Sequence, residues 1–588
     1  MKILKYLNKR DWIYTLIGAG LIVLQVWLEI TMPQYTQELS TAVAAEKIVM
    51  NDVWKNGGLM IACAAGSMFS SIACGWFFAH IAADFARTLR IKLFDKITSF
   101  SSEEINRFST PSLITRTTND VVQLQMLIAM GLQMVIKAPT LAIWAILKIS
   151  STNLEWTIAV AITVITIIVM LTIIVGISYP KFKKIQKLTD DLNDVTRENI
   201  SGVRVIRAYN AEKYREDKFE KVNNAVTKNN LFTARSMGFL MPAMTLCMSG
   251  LSLSIYWIAA ILLNDLTAPT FKDLVTERAG LIGDMAAFST YALQVVGAFM
   301  MLIMIFIMLP RTMVSIKRIN EVLNTTPSLV YKDNTPTSDK KGCITFKNVS
   351  FAYADGEEKC LEDISFNINK GETFAIIGAT GSGKTTLINL IPRFYDVNSG
   401  EILIDDINVK DYTLEDLQQK ISLAPQKAAL FKGDIKSNIT YGSKEEVSDD
   451  DIRIKKALNV SKSDFVMELE KGIHAEVAQG ATNFSGGQKQ RLSIARAVFK
   501  NSEIMIFDDT FSALDYKTDM LVRQELKETL KGTTVIIVAQ RIGTIKNADQ
   551  ILVLDNGKIV GLGKHEDLIK NCPTYQEIAL SQLSKEEL

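Results

Sequence analysis

Runs of apolar residues long enough to cross a hydrocarbon layer, about 20 residues each, recur near 12–32, 57–82, 127–148, 155–179, 238–263 and 281–309 and then stop. They predict six membrane helices in the first half of the chain. The polar segments "DFARTLRIKLFDKI" and "KFKKIQKLTDDLNDVTRENI" keep helical spacing, so the second and fourth helices are expected to continue past the membrane surface. Periodicity is lost over 320–342, where "NTTPSLVYKDNTPTSDKKG" gathers Pro, Thr, Asn and Lys and reads as a linker. Beyond it, short β-branched runs such as "TFAIIG", "EIMIFDD" and "TTVIIVAQ" alternate with helical patterns. Wholly apolar strands between helices predict a buried, largely parallel α/β sheet. The expected organisation is a six-helix membrane domain over 1–320, a linker over 321–342 and an α/β domain over 343–580.

Composition supports a hybrid of lipid-embedded and soluble parts. The 588 residues are 48% hydrophobic with a mean hydropathy of +0.15, yet 22% are charged. A net charge of +2 gives no overall attraction to nucleic acid, which is excluded as a partner. Six scattered cysteines offer neither a zinc spacing nor a disulfide framework. The apolar run behind Lys2, Lys5, Lys9 and Arg10 lacks a small-residue cleavage site and reads as a retained first membrane helix. Segment 84–122 holds six Lys or Arg and 180–235 holds thirteen, against two in 33–55. The first two segments are therefore expected on the cytoplasmic side of the cell membrane, together with the N-terminus and everything after residue 310.

Chemistry enters where "TFAIIG" runs into Gly378, Ala379, Thr380, Gly381, Ser382, Gly383, Lys384, Thr385 and Thr386. Strand, G-x-x-x-x-G-K-[ST] loop and helix form the phosphate-binding arrangement: backbone N–H groups close around phosphates, Lys384 reaches the β and γ groups, and Thr385 contacts Mg²⁺. A second apolar strand ends in Asp508 and Asp509, and Asp508 is the expected Mg²⁺ partner. In "NFSGGQKQRLSIARA", Ser485, Gly486, Gly487 and Gln488 open a helix with bare backbone donors for an anion.

The order of these pieces resembles the ABC transporter family, and specifically a half-exporter, over nearly the whole chain. The resemblance implies ATP and Mg²⁺ as ligands. It makes Tyr353 in "VSFAY" the aromatic on which adenine stacks and Gln426 in "SLAPQ" the glutamine loop, a Mg²⁺ ligand beside Thr385 and Asp508 that also serves the reaction. "SALD", Ser512, Ala513, Leu514 and Asp515, becomes the D-loop. Pieces near Glu103–Ser112 and Asn210–Glu216 look like the coupling segments that dock on nucleotide domains. In the family, ATP is sandwiched between the phosphate loop of one subunit and the signature of another, so a second half-transporter is an expected partner, along with the lipid bilayer.

Three positions depart from the family. Asp509 stands where active members carry a general-base Glu, and Gln540 stands where they carry a switch His; the only histidines of the α/β domain are His474 and His565. Asp is one methylene shorter, and a displacement near 1 Å can cost on the order of a hundredfold in rate. A Gln donates a hydrogen bond but never becomes cationic. The pattern resembles the degenerate subunit of a heterodimeric multidrug-type exporter, whose intact signature completes the partner's site. Gln479, where exporters commonly carry Glu, is the third departure.

Within the spans, Lys137 is read as snorkelling toward the cytoplasmic leaflet and Asp284 as lying near the outer end of the sixth helix. Met241, Met244, Met248, Met300, Met301, Met304 and Met308 suit either an adaptable substrate lining or ordinary packing. The expected function is efflux of small amphipathic or drug-like molecules. The rival readings are a homodimeric lipid or peptide exporter and a nucleotide-gated regulatory or channel subunit.

Overall fold

The computed structural model describes residues 5–44, 49–150, 154–266, 271–354, 356, 358–443 and 445–582. The elements described in the N-terminal half are all helices: α1 (Lys9–Ala44), α2 (Met50–Thr98), α3 (Ser102–Phe108), α4 (Thr110–Thr117), α5 (Asn119–Met126), α6 (Leu132–Ser150), α7 (Leu154–Ser201), α8 (Val203–Ala208), α9 (Glu212–Gly238), α10 (Leu240–Asp265) and α11 (Phe271–Asn324). Among the described residues, six helical stretches are long and apolar enough to cross a membrane, matching the six spans expected from the sequence.

Two compact units divide the chain. One comprises the residues up to Lys96 together with Pro111–Thr325; the other comprises Ile97–Thr110 and the chain from Thr326 onward. In the helical unit, Trp156 packs against Phe288 with ring centroids 5.1 Å apart, and Ile22, Val26, Phe78 and Val295 are buried around them. α1 and α11 pack together, and Gly283 makes a close approach possible, since a Cβ there would lie 2.7 Å from the Gln37 carbonyl. Asp284, beside that glycine, accepts a hydrogen bond from Gln37 Nε2.

Two readings of the helical half need correction, the start of the linker and the placing of Lys137. α11 runs to Asn324, so the first positions of the expected linker are helical; Ile319 and Val322 are buried and continue the helical spacing into "INEVLN". The segment Asn210–Glu216 follows the short helix α8 and enters α9 at Glu212. Lys137 does not snorkel: it forms an ion pair with Glu29 at 2.9 Å.

The second unit is built on two sheets. β1 (Ile344–Phe351), β2 (Leu361–Ile368), β4 (Ser399–Ile404) and β5 (Ile407–Asn408) form an antiparallel sheet in the order β2-β1-β4-β5, with β3 (Thr373–Ile377) assigned to the larger sheet. That sheet also takes β6 (Ile421–Ala424), β9 (Ile504–Asp508), β10 (Thr534–Val538), β11 (Gln550–Asp555) and β12 (Lys558–Gly563), in the order β12-β11-β3-β10-β9-β6. β7 (Gly433–Asp434) and β8 (Glu476–Val477) pair by themselves. The strands β11, β3, β10, β9 and β6 run parallel, as their uninterrupted apolar character requires.

α3 belongs to this unit and is capped from both sides. Ser101 is its N-cap and Glu104 closes a capping box on it, accepting from Ser101 N at 2.7 Å. Glu104 also accepts from Ser328 N at 2.8 Å and is itself buried. Burial works against its charge, but the hydrogen bonds from Ser101 and Ser328 outweigh it and hold its carboxyl below the ordinary glutamate range. Glu104→Ala is expected to cost about 1–3 kcal/mol at pH 7, because two backbone N–H groups lose their acceptor. Thermal unfolding of the full chain should show this as a lower midpoint. The depressed value stabilises the fold above the ordinary glutamate value near 4.5, so the gap between wild type and variant should narrow as pH falls below it.

Candidate nucleotide site

Four parallel strands deliver the site. The loop Gly378–Gly383 follows β3, Asp508 ends β9 with Asp509 next, Gln540 lies two positions past β10, and Gln426 lies two past β6. Because β3, β10, β9 and β6 are neighbours in parallel register, with Val538 opposite both Ile376 and Asp508, all these groups emerge at one carboxyl edge. Ligands of open α/β sheets bind at such an edge.

Gly378 is irreplaceable for steric reasons. A Cβ there would fall 2.0 Å from the Leu554 carbonyl oxygen, so any side chain collides with backbone of the adjacent strand β11. The loop ends at Gly383, in left-handed conformation, as the N-cap of α12 (Lys384–Leu390). Lys384 folds over the loop, donating to the Gly378 and Ala379 carbonyls at 2.9 and 2.6 Å and approaching Ser382 Oγ at 3.4 Å. Burial lowers its pKa, and Asp509 and Asp508 oppose that shift. Beside the loop lies a cleft of about 470 Å³ lined by Lys359, Cys360, Gly381, Lys384, Thr385 and Gly557, among others.

Thr385 Oγ1 donates to Asp508 Oδ1 at 3.4 Å. Burial, and then the neighbouring Asp509, push Asp508 up to about 6, against the pull of Thr385 and Lys384. A hydroxyl and a desolvated carboxylate side by side are hard oxygen donors of the kind Mg²⁺ takes, so these residues fit that ion. A bound cation would hold Asp508 ionised.

Asp509 is buried in a left-handed backbone conformation, its N–H donating to the Val538 carbonyl at 3.0 Å. Its Oδ2 accepts from Gln540 Nε2 at 2.9 Å and from Gln426 Nε2 at 3.1 Å. The structure thus gathers phosphate loop, Asp508, Asp509, Gln426 and Gln540 into one cluster. Tyr353 reaches the same loop: its hydroxyl lies 3.0 Å from Thr386 Oγ1, and its ring meets Phe351 and Tyr395 edge-on at 4.9 and 5.3 Å. Of the remaining loop residues, Ser382 and Thr386 are buried and Gly381 lines the cleft.

The "SGGQ" group stands apart from that cluster. Ser485 caps the helix Gly486–Lys500 in a capping box with Gln488, which accepts from Ser485 N at 2.9 Å; Ser485 and Gly486 are exposed, and Gly487 and Gln488 half-buried. The helix packs against the turn Thr510–Ala513, and Ser512 Oγ donates to the Asp509 carbonyl at 2.7 Å. Leu514 is buried and Asp515 caps the next helix by accepting from Thr518 N at 3.0 Å. Gln479 opens a tight turn whose next two residues, Gly480 and Ala481, have positive φ. Sequence reasoning missed Asn556 and Gly557, which line the cleft from the β11–β12 hairpin; the "DNGK" turn was the available signal.

A membrane-length six-helix unit joined to a parallel sheet with a phosphate loop defines an ATP-driven transporter of the ABC class. Comparison with known proteins agrees: residues 15–299 match the family described as "ABC transporter transmembrane region" and 361–512 the family described as "ABC transporter". An uncharacterized ABC transporter ATP-binding protein of Mycobacterium bovis is 37% identical over 89% of this chain and 87% of its own length. The ATP-dependent lipid A-core flippase of Pseudomonas fluorescens is 31% identical over 88% of this chain and 84% of its own. A solved bacterial Atm1-family ABC exporter with ATP bound superposes with a TM-score of 0.79 at 23% identity, covering 97% of this chain and 99% of that one, which establishes the shared fold. The chain belongs to the ABC transporter family and has the architecture of an exporter half-transporter, a multi-pass membrane protein with an ATP-binding domain.

Gly378→Ala is expected to abolish ATP binding, because relieving the clash with Leu554 displaces the loop and its N–H groups. The cost in stability should be on the order of 1–3 kcal/mol, as for other overpacked sites. Equilibrium binding of a fluorescent ATP analogue and thermal unfolding check the two effects.

Proposed function

We propose that this chain is the hydrolysis-poor half of a heterodimeric exporter in the cell membrane, with its nucleotide domain cytoplasmic, moving small amphipathic molecules outward. The observation that carries the reading is Asp509. It occupies the place where a water-activating Glu is expected, it is a methylene shorter, and one of its oxygens is held by two amide donors, Gln426 and Gln540. Gln540 supplies a neutral hydrogen bond where a cation would otherwise meet the charge that builds on the γ phosphate.

In this reading ATP binds across the Gly378–Gly383 loop. Lys384 exchanges its carbonyl partners for phosphate oxygens, and Tyr353 leaves Thr386 to lie against adenine. Thr385 and Asp508, with Gln426, would hold Mg²⁺, which would neutralise phosphate charge. Ser485, Gly486, Gly487 and Gln488 present their helix start to the nucleotide of the partner, beside the D-loop Ser512–Asp515. Closure of the two nucleotide domains turns the membrane cavity outward, which requires ATP to prefer the closed state. Turnover falls to the partner's site, and ATP here acts as a clamp.

A second reading of the cargo has its own support. Relatives whose printed names describe lipid A-core flippases align over most of the chain, which favours a lipid over a drug-like solute.

Asp509→Glu combined with Gln540→His should raise ATP turnover of the assembled complex about tenfold or more, since both changes restore groups acting in the transition state. A coupled-enzyme ATPase assay measures this; unchanged turnover contradicts the proposed role of the two positions.

A further inference from the structure

Two ionisable residues within the apolar spans meet each other. Glu29 of α1 and Lys137 of α6 are joined at 2.9 Å through Lys137 Nζ and Glu29 Oε1. Gln25 Nε2, one helical turn earlier, donates to the same oxygen at 2.9 Å, and Ser67 Oγ of α2 donates to it at 3.3 Å. Gln294 of α11 donates from Nε2 to the Glu29 backbone carbonyl at 3.0 Å, while its buried Oε1 has no hydrogen-bond partner among the described residues. Five polar side chains from four helices converge in a region otherwise walled by buried Ile22, Val26, Ile30 and Val295.

Helix association does not account for this arrangement. α1 and α6 already pack together and share one buried apolar core, with Val26 from the first and Leu141 from the second, whereas an ion pair in hydrocarbon is expensive to keep. Nor is the pair sealed, since the side chains of Lys137 and Glu29 remain 20% and 25% accessible. All three donors crowd onto Oε1. The other carboxylate oxygen and two of the three Lys137 N–H groups have no partner among the described residues.

We propose that this cluster is a polar subsite on the transport path for the head group of a zwitterionic amphiphile, one bearing an ammonium together with a phosphate, sulfonate or carboxylate. The inference rests on the reading of the chain as an exporter of amphipathic molecules and names the head-group class. Charge balance selects the zwitterion. The pair is neutral, so an added anion or an added cation leaves an uncompensated charge in a medium of low dielectric constant. A dipolar head keeps the balance: its ammonium faces the open oxygen of Glu29 and the orphan Oε1 of Gln294, and its anion faces the open N–H groups of Lys137.

The test uses the full chain in nanodiscs and amphiphiles sharing one alkyl tail. Two heads are zwitterionic, one with the anion next to the tail and one with the ammonium next to it; the other two are a lone phosphate and a lone ammonium. At least one zwitterion should bind roughly tenfold more tightly than either singly charged probe, the worth of one charge-assisted hydrogen bond. Lys137→Met and Glu29→Gln should each erase that preference. The exchange E29K with K137E keeps an ion pair for folding but inverts its direction, and should reverse which zwitterion order binds better. Competition by phosphatidylethanolamine vesicles or by a zwitterionic tripeptide then distinguishes a lipid head from a peptide as its source.

Equal binding of all four probes, or a preference that survives Lys137→Met, overturns the subsite. ATP binding measured on the same samples reports folding and separates the two ideas. Intact ATP binding without head-group discrimination sinks the subsite alone, and wild-type protein that binds no ATP sinks the exporter reading beneath it. Should Lys137→Met not fold, the wild-type probe series and the exchange variant still decide.

Discussion

The parallel register of β3, β10, β9 and β6 is the constraint on which the nucleotide chemistry rests. Each strand contributes one loop, and because the strands are neighbours pointing the same way, the four loops end within hydrogen-bonding reach of each other. Lys384 can then sense both aspartates, Thr385 can meet Asp508, and Gln540 and Gln426 can reach the same oxygen of Asp509. A one-residue slip of any of these strands would turn its inward side chains outward and dismantle the site. The wholly buried strands that make the sheet rigid are thus also what positions the chemistry.

The helical unit solves a different problem. Its long helices satisfy their own backbone groups, so polar side chains inside them are free to do something other than hold the fold. Two polar contacts mark successive levels of the α1–α11 contact, Glu29 with Gln294 and Gln37 with Asp284. Among the described residues only the first level carries a full ion pair, by way of Lys137 from α6. Shape and charge are therefore specified by different residues: small and aliphatic side chains set how closely helices approach, and a few costly polar groups set which head groups the interior tolerates.

Much of this was legible in the chain itself, and the exceptions share a cause. The six spans, the loop behind "TFAIIG" and the paired aspartates at a strand end are local patterns with fixed spacing, and local patterns survive translation into structure. The partner of Lys137 lies 108 positions away, inside the apolar run of α1, where a lone Glu has no periodic signature. Snorkelling was the natural reading for a lysine considered by itself. The two amides on Asp509 come from loops 83 and 31 positions distant, and strand order, which no single segment reveals, brings them together. A helix end was the other weak point: α11 runs into the first positions of the apparent linker, because Ile319 and Val322 are still buried.

The central claim, a site that holds ATP without consuming it, is most directly tested on the assembled transporter during a single turnover. ATP with a photoreactive base, labelled on either the α or the γ phosphate, would be cross-linked to each chain at successive times. The account predicts that this chain keeps both labels while its partner loses the γ label. Loss of the γ label from this chain at the partner's rate would contradict it.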